Sequence, residues 1–203
     1  MKYAEGNLVM LKSVKVILCG PPQSGKSCLR EGLKQAIRQI PNAPYPFVIT
    51  ANPDGEGSWF SETAQRNLEE AKQYKNAHKT EFTPEFARIR ADWVKNCPEP
   101  LTLVDVGGRT TDENKLIMKH ATHAVILSGD ESKIKEWQDF CININLRIIA
   151  IIHSDYYGEC DRIESELSIL TGSIHRLQRG EDVSERPMVK ALAQLLVELI
   201  RGK

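Results

Sequence analysis

The chain has 203 residues, 41% of them hydrophobic, enough to bury a core and few enough to make a single domain. Lysine plus arginine (27) equals aspartate plus glutamate (27), which excludes a net field drawing the whole molecule to nucleic acid or to an anionic lipid surface. The five cysteines, Cys19, Cys28, Cys97, Cys141 and Cys160, are scattered and form no C-x-x-C pair, which argues against a disulfide framework or a zinc site and for thiols in a reducing compartment.

The first apolar stretch, Leu8 to Cys19, is interrupted by Lys12 and Lys15 and followed by no cleavage site, so it reads as a strand over 14–19 rather than a leader. Further short runs rich in β-branched residues predict strands over 46–51, 101–106, 122–128 and 146–153. Between and after them, helical periodicity predicts helices over 26–39, 61–76, 84–97, 112–120, 131–143 and 186–201, the last starting near Ser184 as its cap. This alternation predicts an α/β fold, a doubly wound and mostly parallel sheet of about five strands. Two stretches break it: the glycine- and acid-rich loop 52–58, and a polar, poorly periodic region over 155–183. No apolar run approaches the ~20 residues of a membrane span, and the expectation is a soluble, cytoplasmic protein.

The segment after the first strand, Gly20-Pro21-Pro22-Gln23-Ser24-Gly25-Lys26-Ser27, fits the phosphate-loop pattern G-x-x-x-x-G-K-[ST], with a strand before it and a helix after it. Such a loop turns backbone N–H groups around phosphates at a helix N-terminus, with a lysine on the β and γ phosphates. Gly20, Gln23, Ser24, Gly25, Lys26, Ser27 and Cys28 are therefore the expected nucleotide contacts, and Ser27 is placed to ligate Mg²⁺. The strand 101–106 carries Asp105 at its end, the expected second metal-holding residue; Mg²⁺ needs only one or two protein oxygens.

Asp105-Val106-Gly107-Gly108 also matches D-x-x-G, in which a glycine N–H senses the γ phosphate. Arg109 follows; it reads either as an in-chain cation for the transferring phosphate or as a solvated turn residue. Guanine recognition by N-K-x-D has no match, because the corresponding place reads His153-Ser154-Asp155-Tyr156, so ATP is preferred to GTP and Asp155 is better read as a turn residue. Asp54 and Glu56, just beyond the second strand, stand where a carboxylate would orient an acceptor hydroxyl, although Asn-Pro-Asp-Gly is also a common turn. Trp59 and Phe60 read as core. Arg88 with Arg90, and Arg176 with Arg179, are candidate phosphate clamps, the later pair flanked by Thr171-Gly172-Ser173 and Gly180 as hinges. Of the histidines, His153 at a strand end is the one placed to contact a ligand.

Taken together, Gly20 to Ser27, Asn52-Pro-Asp-Gly-Glu-Gly-Ser-Trp59, Leu103-Val-Asp-Val-Gly-Gly-Arg109 and Ile151-Ile-His-Ser-Asp-Tyr-Tyr-Gly158 resemble the P-loop NTPase domain that accompanies CRISPR-associated ring nucleases of type III systems. The resemblance implies a ring-nuclease partner that cleaves cyclic oligoadenylates, and a role in antiviral signalling. The expected activity is that of a Mg²⁺-dependent ATPase or phosphotransferase with Lys26, Asp54 and Arg109 as catalytic residues. The alternatives are a nucleotide-controlled switch at Gly107 and Gly108, or a nucleotide-binding module without turnover. Direct nucleic-acid binding is not indicated, and assembly with copies of itself is left open.

Overall fold

The computed structural model describes residues 13–52 and 82–202. The expected helix over 61–76 and the residues Asp54, Glu56, Trp59 and Phe60 lie outside the described residues.

Strand β1 (Val14–Cys19) lies inside the sheet, where it is buried on both faces and can be covered only from both sides. It pairs in parallel with β3 (Leu101–Val106) on one side and β4 (His123–Ser128) on the other. Outward from these lie β2 (Phe47–Ala51) beside β3, and β5 (Arg147–Asp155) beside β4, again parallel. Two further strands, β6 (Arg162–Ser165) and β7 (Leu170–His175), complete a seven-stranded sheet of order β2-β3-β1-β4-β5-β7-β6. Only β6 runs antiparallel, at the edge.

Alternation along β1 sends Val14, Val16 and Leu18 to one face and Ile17 and Cys19 to the other, and each set nucleates its own core. Helices α1 (Lys26–Gln39) and α5 (Pro187–Ile200) cover the first face through Leu29, Leu33 and Ile37 and through Val189, Leu192 and Leu196. The second face is covered by α2 (Pro84–Asn96), α3 (Asp112–Met118) and α4 (Glu131–Asn143) through Ala91, Val94, Ile117, Met118, Trp137 and Cys141. Among the described residues no helix is long and apolar enough to cross a membrane.

Helix starts follow local chemistry. Thr83, Thr111 and Asp130 cap α2, α3 and α4 by accepting backbone N–H groups of Phe86, Asn114 and Ser132. Ser184 does not cap the last helix. It is buried, its Oγ has no hydrogen-bond partner, and the cap position is Arg186 with Pro187 as the first helical residue. The N–H of Met188 is instead met from afar by Asp161 Oδ2 at 3.2 Å. The other carboxylate oxygen of Asp161 accepts from the His175 backbone at 3.1 Å and contacts His175 Nδ1 at 2.6 Å, so one buried aspartate ties β7 to α5.

The polar stretch 155–183 therefore holds two strands that periodicity did not predict. Thr171-Gly172-Ser173 is no hinge: it lies within β7, hydrogen-bonded to β5 through Ile151, Ile152 and His153. Gly172 has φ +154°, and a Cβ there would lie 2.0 Å from the carbonyl oxygen of Arg162 on β6. Gly172→Ala is expected to cost about 2 kcal/mol or more, read as a lowered midpoint in urea denaturation; an unchanged midpoint would mean that the β6–β7 pairing is not made.

Candidate functional site

Loops at the carboxyl ends of β1, β3, β4 and β7 converge on one another, as expected for ligand sites in open parallel sheets. The loop 20–25 after β1 is the centre. Gly20 has φ +142° and packs so closely on β4 that a Cβ would lie 1.9 Å from the carbonyl oxygen of Leu127. Gln23 (φ +63°) and Gly25 (φ +90°) are also left-handed, the succession that curls backbone N–H groups inward into an anion-binding nest. Gly25 is the N-cap of α1; no side chain caps it, and the first turn holds no acidic residue. That leaves the dipole end of α1 suited to an anion. A Cβ on Gly25 would lie 2.6 Å from Leu177, which brings the loop after β7 against the same turn.

Lys26, buried at the start of α1, folds back over the loop: its Nζ donates to the carbonyls of Gly20 at 2.9 Å and Pro21 at 2.8 Å, and to Ser24 Oγ at 3.5 Å. Gln23 is exposed, Ser24 buried and Cys28 half-buried in the first turn. Just before the loop, Cys19 lies under β4, its Sγ 3.4 Å from Val125 O and 3.9 Å from Cys141 Sγ. Burial first, and the Cys141 contact second, push its thiol well above the usual range, so it stays protonated at neutral pH.

Register places Asp105 beside Leu18 of β1 and Thr50 of β2. Its carboxylate oxygen Oδ2 accepts from Ser27 Oγ at 3.1 Å and from Arg30 Nη1 at 3.0 Å. Arg30, 1% exposed, also pairs with Glu31 at 2.9 Å, and Glu31 with Lys34 at 3.0 Å. The separation of Ser27 and Asp105 matches the edge, about 3 Å, between neighbouring oxygens around an octahedral ion with ~2.1 Å bonds. The residues thus fit a phosphate chain carrying a divalent ion: main-chain nest, one ammonium, one hydroxyl and one carboxylate.

The loop after β3 leans on the same cradle. A Cβ on Gly108 would lie 2.5 Å from the backbone nitrogen of Pro22, so the two loops touch through backbone. The buried amide of Asn114, on α3, donates to the carbonyls of Gly107 at 3.0 Å and Arg109 at 2.6 Å and holds the loop in shape. The Arg109 side chain is exposed.

Other candidates fall elsewhere. Arg90 stacks on Phe86 and Trp93 of its own helix, with its guanidinium carbon 5.0 and 4.2 Å from the ring centroids, so aromatic faces hold it on α2. Asp155 ends β5 as a turn residue, accepting the N–H of Tyr157 at 3.1 Å. His153 and Asp155 line a separate open cavity of about 800 Å³ between α4 and strands β5 to β7. Arg176 is exposed at φ +36°, and Arg186 pins its loop by donating to the carbonyls of His175 and Arg176 and by pairing with Glu181 at 2.7 Å.

Sequence reasoning missed Arg30, Asn114 and Arg186. Arg30 had a signal: it stands in the stripe Lys26, Leu29, Arg30, Leu33, Ala36, Ile37 that α1 buries, where a charge needs a partner. Asn114 and Arg186 had none, because their partners are backbone carbonyls set by tertiary packing.

No protein-family model matches the chain, and no curated protein matches it in sequence. Among solved structures, a plasmid partition protein from Borrelia burgdorferi bound to AMPPNP superposes with a TM-score of 0.59 at 12% identity, covering 93% of this chain and 98% of that one. A second structure of a Borrelia burgdorferi plasmid partition protein gives 0.59 at 11% identity, covering 93% and 100%. A nucleotide-binding protein from Archaeoglobus fulgidus in complex with ADP reaches 0.42 at 14% identity, covering 73% and 69%. At such identities the likeness is one of fold: a mostly parallel α/β sheet with helices on both faces.

Removing the Asp105 carboxylate would strand a buried guanidinium. Asp105→Ala is expected to lower stability by about 3 kcal/mol, near the low end for a broken buried pair because Glu31 remains, measured by urea denaturation. A loss below about 1 kcal/mol would place Arg30 in water.

Proposed function

We propose that this chain binds ATP with Mg²⁺ at the 20–27 loop and acts as an ATPase or phosphotransferase. The observation carrying this is the single cluster of left-handed loop, Lys26, Ser27 and Asp105, in which the serine hydroxyl and the carboxylate are 3.1 Å apart. Gly20, Gln23, Ser24, Gly25 and Cys28 present the loop and the first turn of α1 to the phosphates. Lys26 exchanges its bonds to Gly20 and Pro21 for phosphate oxygens and offsets the charge that grows there during transfer. Ser27 and Asp105 hold the metal. Bound Mg²⁺ would supply charge neutralisation to the phosphates.

Arg109, exposed beside the cradle, is the in-chain cation of this reading, and Asp54, outside the described residues, is its acceptor-side carboxylate. The choice of adenine is supported by the missing N-K-x-D at the end of β5 and by AMPPNP in the Borrelia burgdorferi protein of similar fold. The link to a CRISPR ring nuclease rests on the sequence motifs alone.

A second reading, a nucleotide-controlled switch, is favoured by one contact. Gly108 lies so close to Pro22 that a γ phosphate seated in the loop would act directly on the backbone of 107–109, and Asn114 would pass the change to α3. In that case turnover is slow without a partner.

Lys26→Ala separates a nucleotide site from an unrelated lysine. It is expected to lower ATP affinity and to cut phosphate release by at least about 100-fold, measured by calorimetric titration and by a phosphate assay with Mg²⁺ present. Parental affinity and rate in that variant would sink the assignment. Slow release in the parent protein, together with nucleotide-dependent hydrogen exchange over 107–118, would select the switch.

A further inference from the structure

Strand β6 (Arg162–Ser165) is the outermost strand of the sheet on its side, paired with β7, and among the described residues no strand pairs with its outer edge. A row of unpaired backbone donors and acceptors is a template for another strand, and natural edges are kept short, charged or bulged for that reason. All three devices are present: β6 has four residues, two of them charged, and its register shifts between Ile163 and Ser165. They leave one position open. The Arg162 carbonyl points at β7, since a Cβ on Gly172 would lie 2.0 Å from it, so by alternation the N–H and C=O of Ile163 point away from β7.

The side chains around that position are self-complementary. Arg162 and Glu164 both line the open cavity beside α4, so they stand on one face of the sheet, with Ile163 between them on the other. Both charged residues are exposed, neither side chain has a hydrogen-bond or ion-pair partner among the described residues, and Ile163 is 40% exposed. Let β6 meet β6 of a second copy antiparallel about Ile163. Arg162 then falls opposite Glu164 of the second copy, twice by symmetry, Ile163 falls opposite Ile163, and the two isoleucines exchange both backbone hydrogen bonds. A slip of one residue would set Ile163 against a charged side chain and lose both ion pairs.

We infer that two copies of this chain join antiparallel through β6, centred on Ile163, into one continuous sheet of two-fold symmetry. A strand of four residues falls short of the roughly 20 residues a side of a stable interface, so the pair is weak and forms with rising concentration. Nothing in this contact uses the 20–27 loop, so it is independent of the nucleotide reading above.

The experiment is sedimentation equilibrium of the full chain at low salt and without nucleotide, from about 10 µM to about 1 mM. The weight-average mass is expected to climb from that of one chain toward that of two. Arg162→Glu and, separately, Glu164→Arg turn two attractive cross-strand pairs repulsive, and each is expected to weaken association at least about 10-fold. The double variant, which restores the pairs with their signs exchanged, is expected to associate within about 3-fold of the parent. Ile163→Pro, checked for folding by circular dichroism, removes an N–H that β7 does not use and should abolish association.

A parent chain that keeps the mass of one copy throughout overturns the inference, a result that needs no variant to fold. So does association that either single charge reversal leaves unchanged, which would put the contact elsewhere on the surface. A double variant no better than the single ones overturns the register, and with it the inference, because recovery is what distinguishes Arg162 facing Glu164 from a general effect of charge.

Discussion

One buried carboxylate joins the two halves of the site. Asp105 is the penultimate residue of β3, Ser27 and Arg30 lie one turn apart on α1, and all three meet at a single oxygen. Taking a guanidinium and a carboxylate out of water is costly, and the cost is offset only when geometry and hydrogen bonds are good. Here the register of β3 against β1 and the docking of α1 on the sheet deliver both groups to within 3.0 Å. The pair thereby ties the orientation of α1, and with it the loop 20–25, to strand β3 of the sheet.

The convergence of loops on that point follows from parallel topology. Strands β1, β3, β4, β5 and β7 all run the same way, so the turns leaving them share one rim of the sheet. Close contacts there are made where a glycine lacks a side chain: Gly20 against the Leu127 backbone, Gly108 against the Pro22 backbone, and Gly25 against the Leu177 side chain. Each removes a Cβ that would hold neighbouring segments apart, and together they let the backbone of the rim come close. That is a surface built for an anion whose recognition comes from amides more than from side chains.

On the far side of the sheet the structure is more open. Residues of β5 and β7 alternate between buried and half-exposed, and the half-exposed set, with His153 and Asp155, lines the polar cavity beside α4. No described helix covers this part of that face, whereas α5 covers the other. The two strands β6 and β7 are legible only through their pairing, β7 with β5 and β6 with β7, since β6 is mostly exposed and β7 contains a glycine.

The first five strands, the five described helices and the cradle residues Gly20 to Ser27 and Asp105 were legible from sequence because each is a local signal: a two-face apolar run, a 3.6-residue stripe, or a motif whose chemistry fits within eight residues. What only the tertiary structure decided is what crosses between elements. The pairing of Arg30 with Asp105, the bracing of Gly107 and Arg109 by Asn114, the tie from Asp161 to β7 and α5, and the recruitment of β6 and β7 join residues from five to 75 positions apart. A hydrogen bond between such groups leaves no periodic trace in the chain, because its partner is chosen by how the helices and strands pack and not by the neighbours on either side.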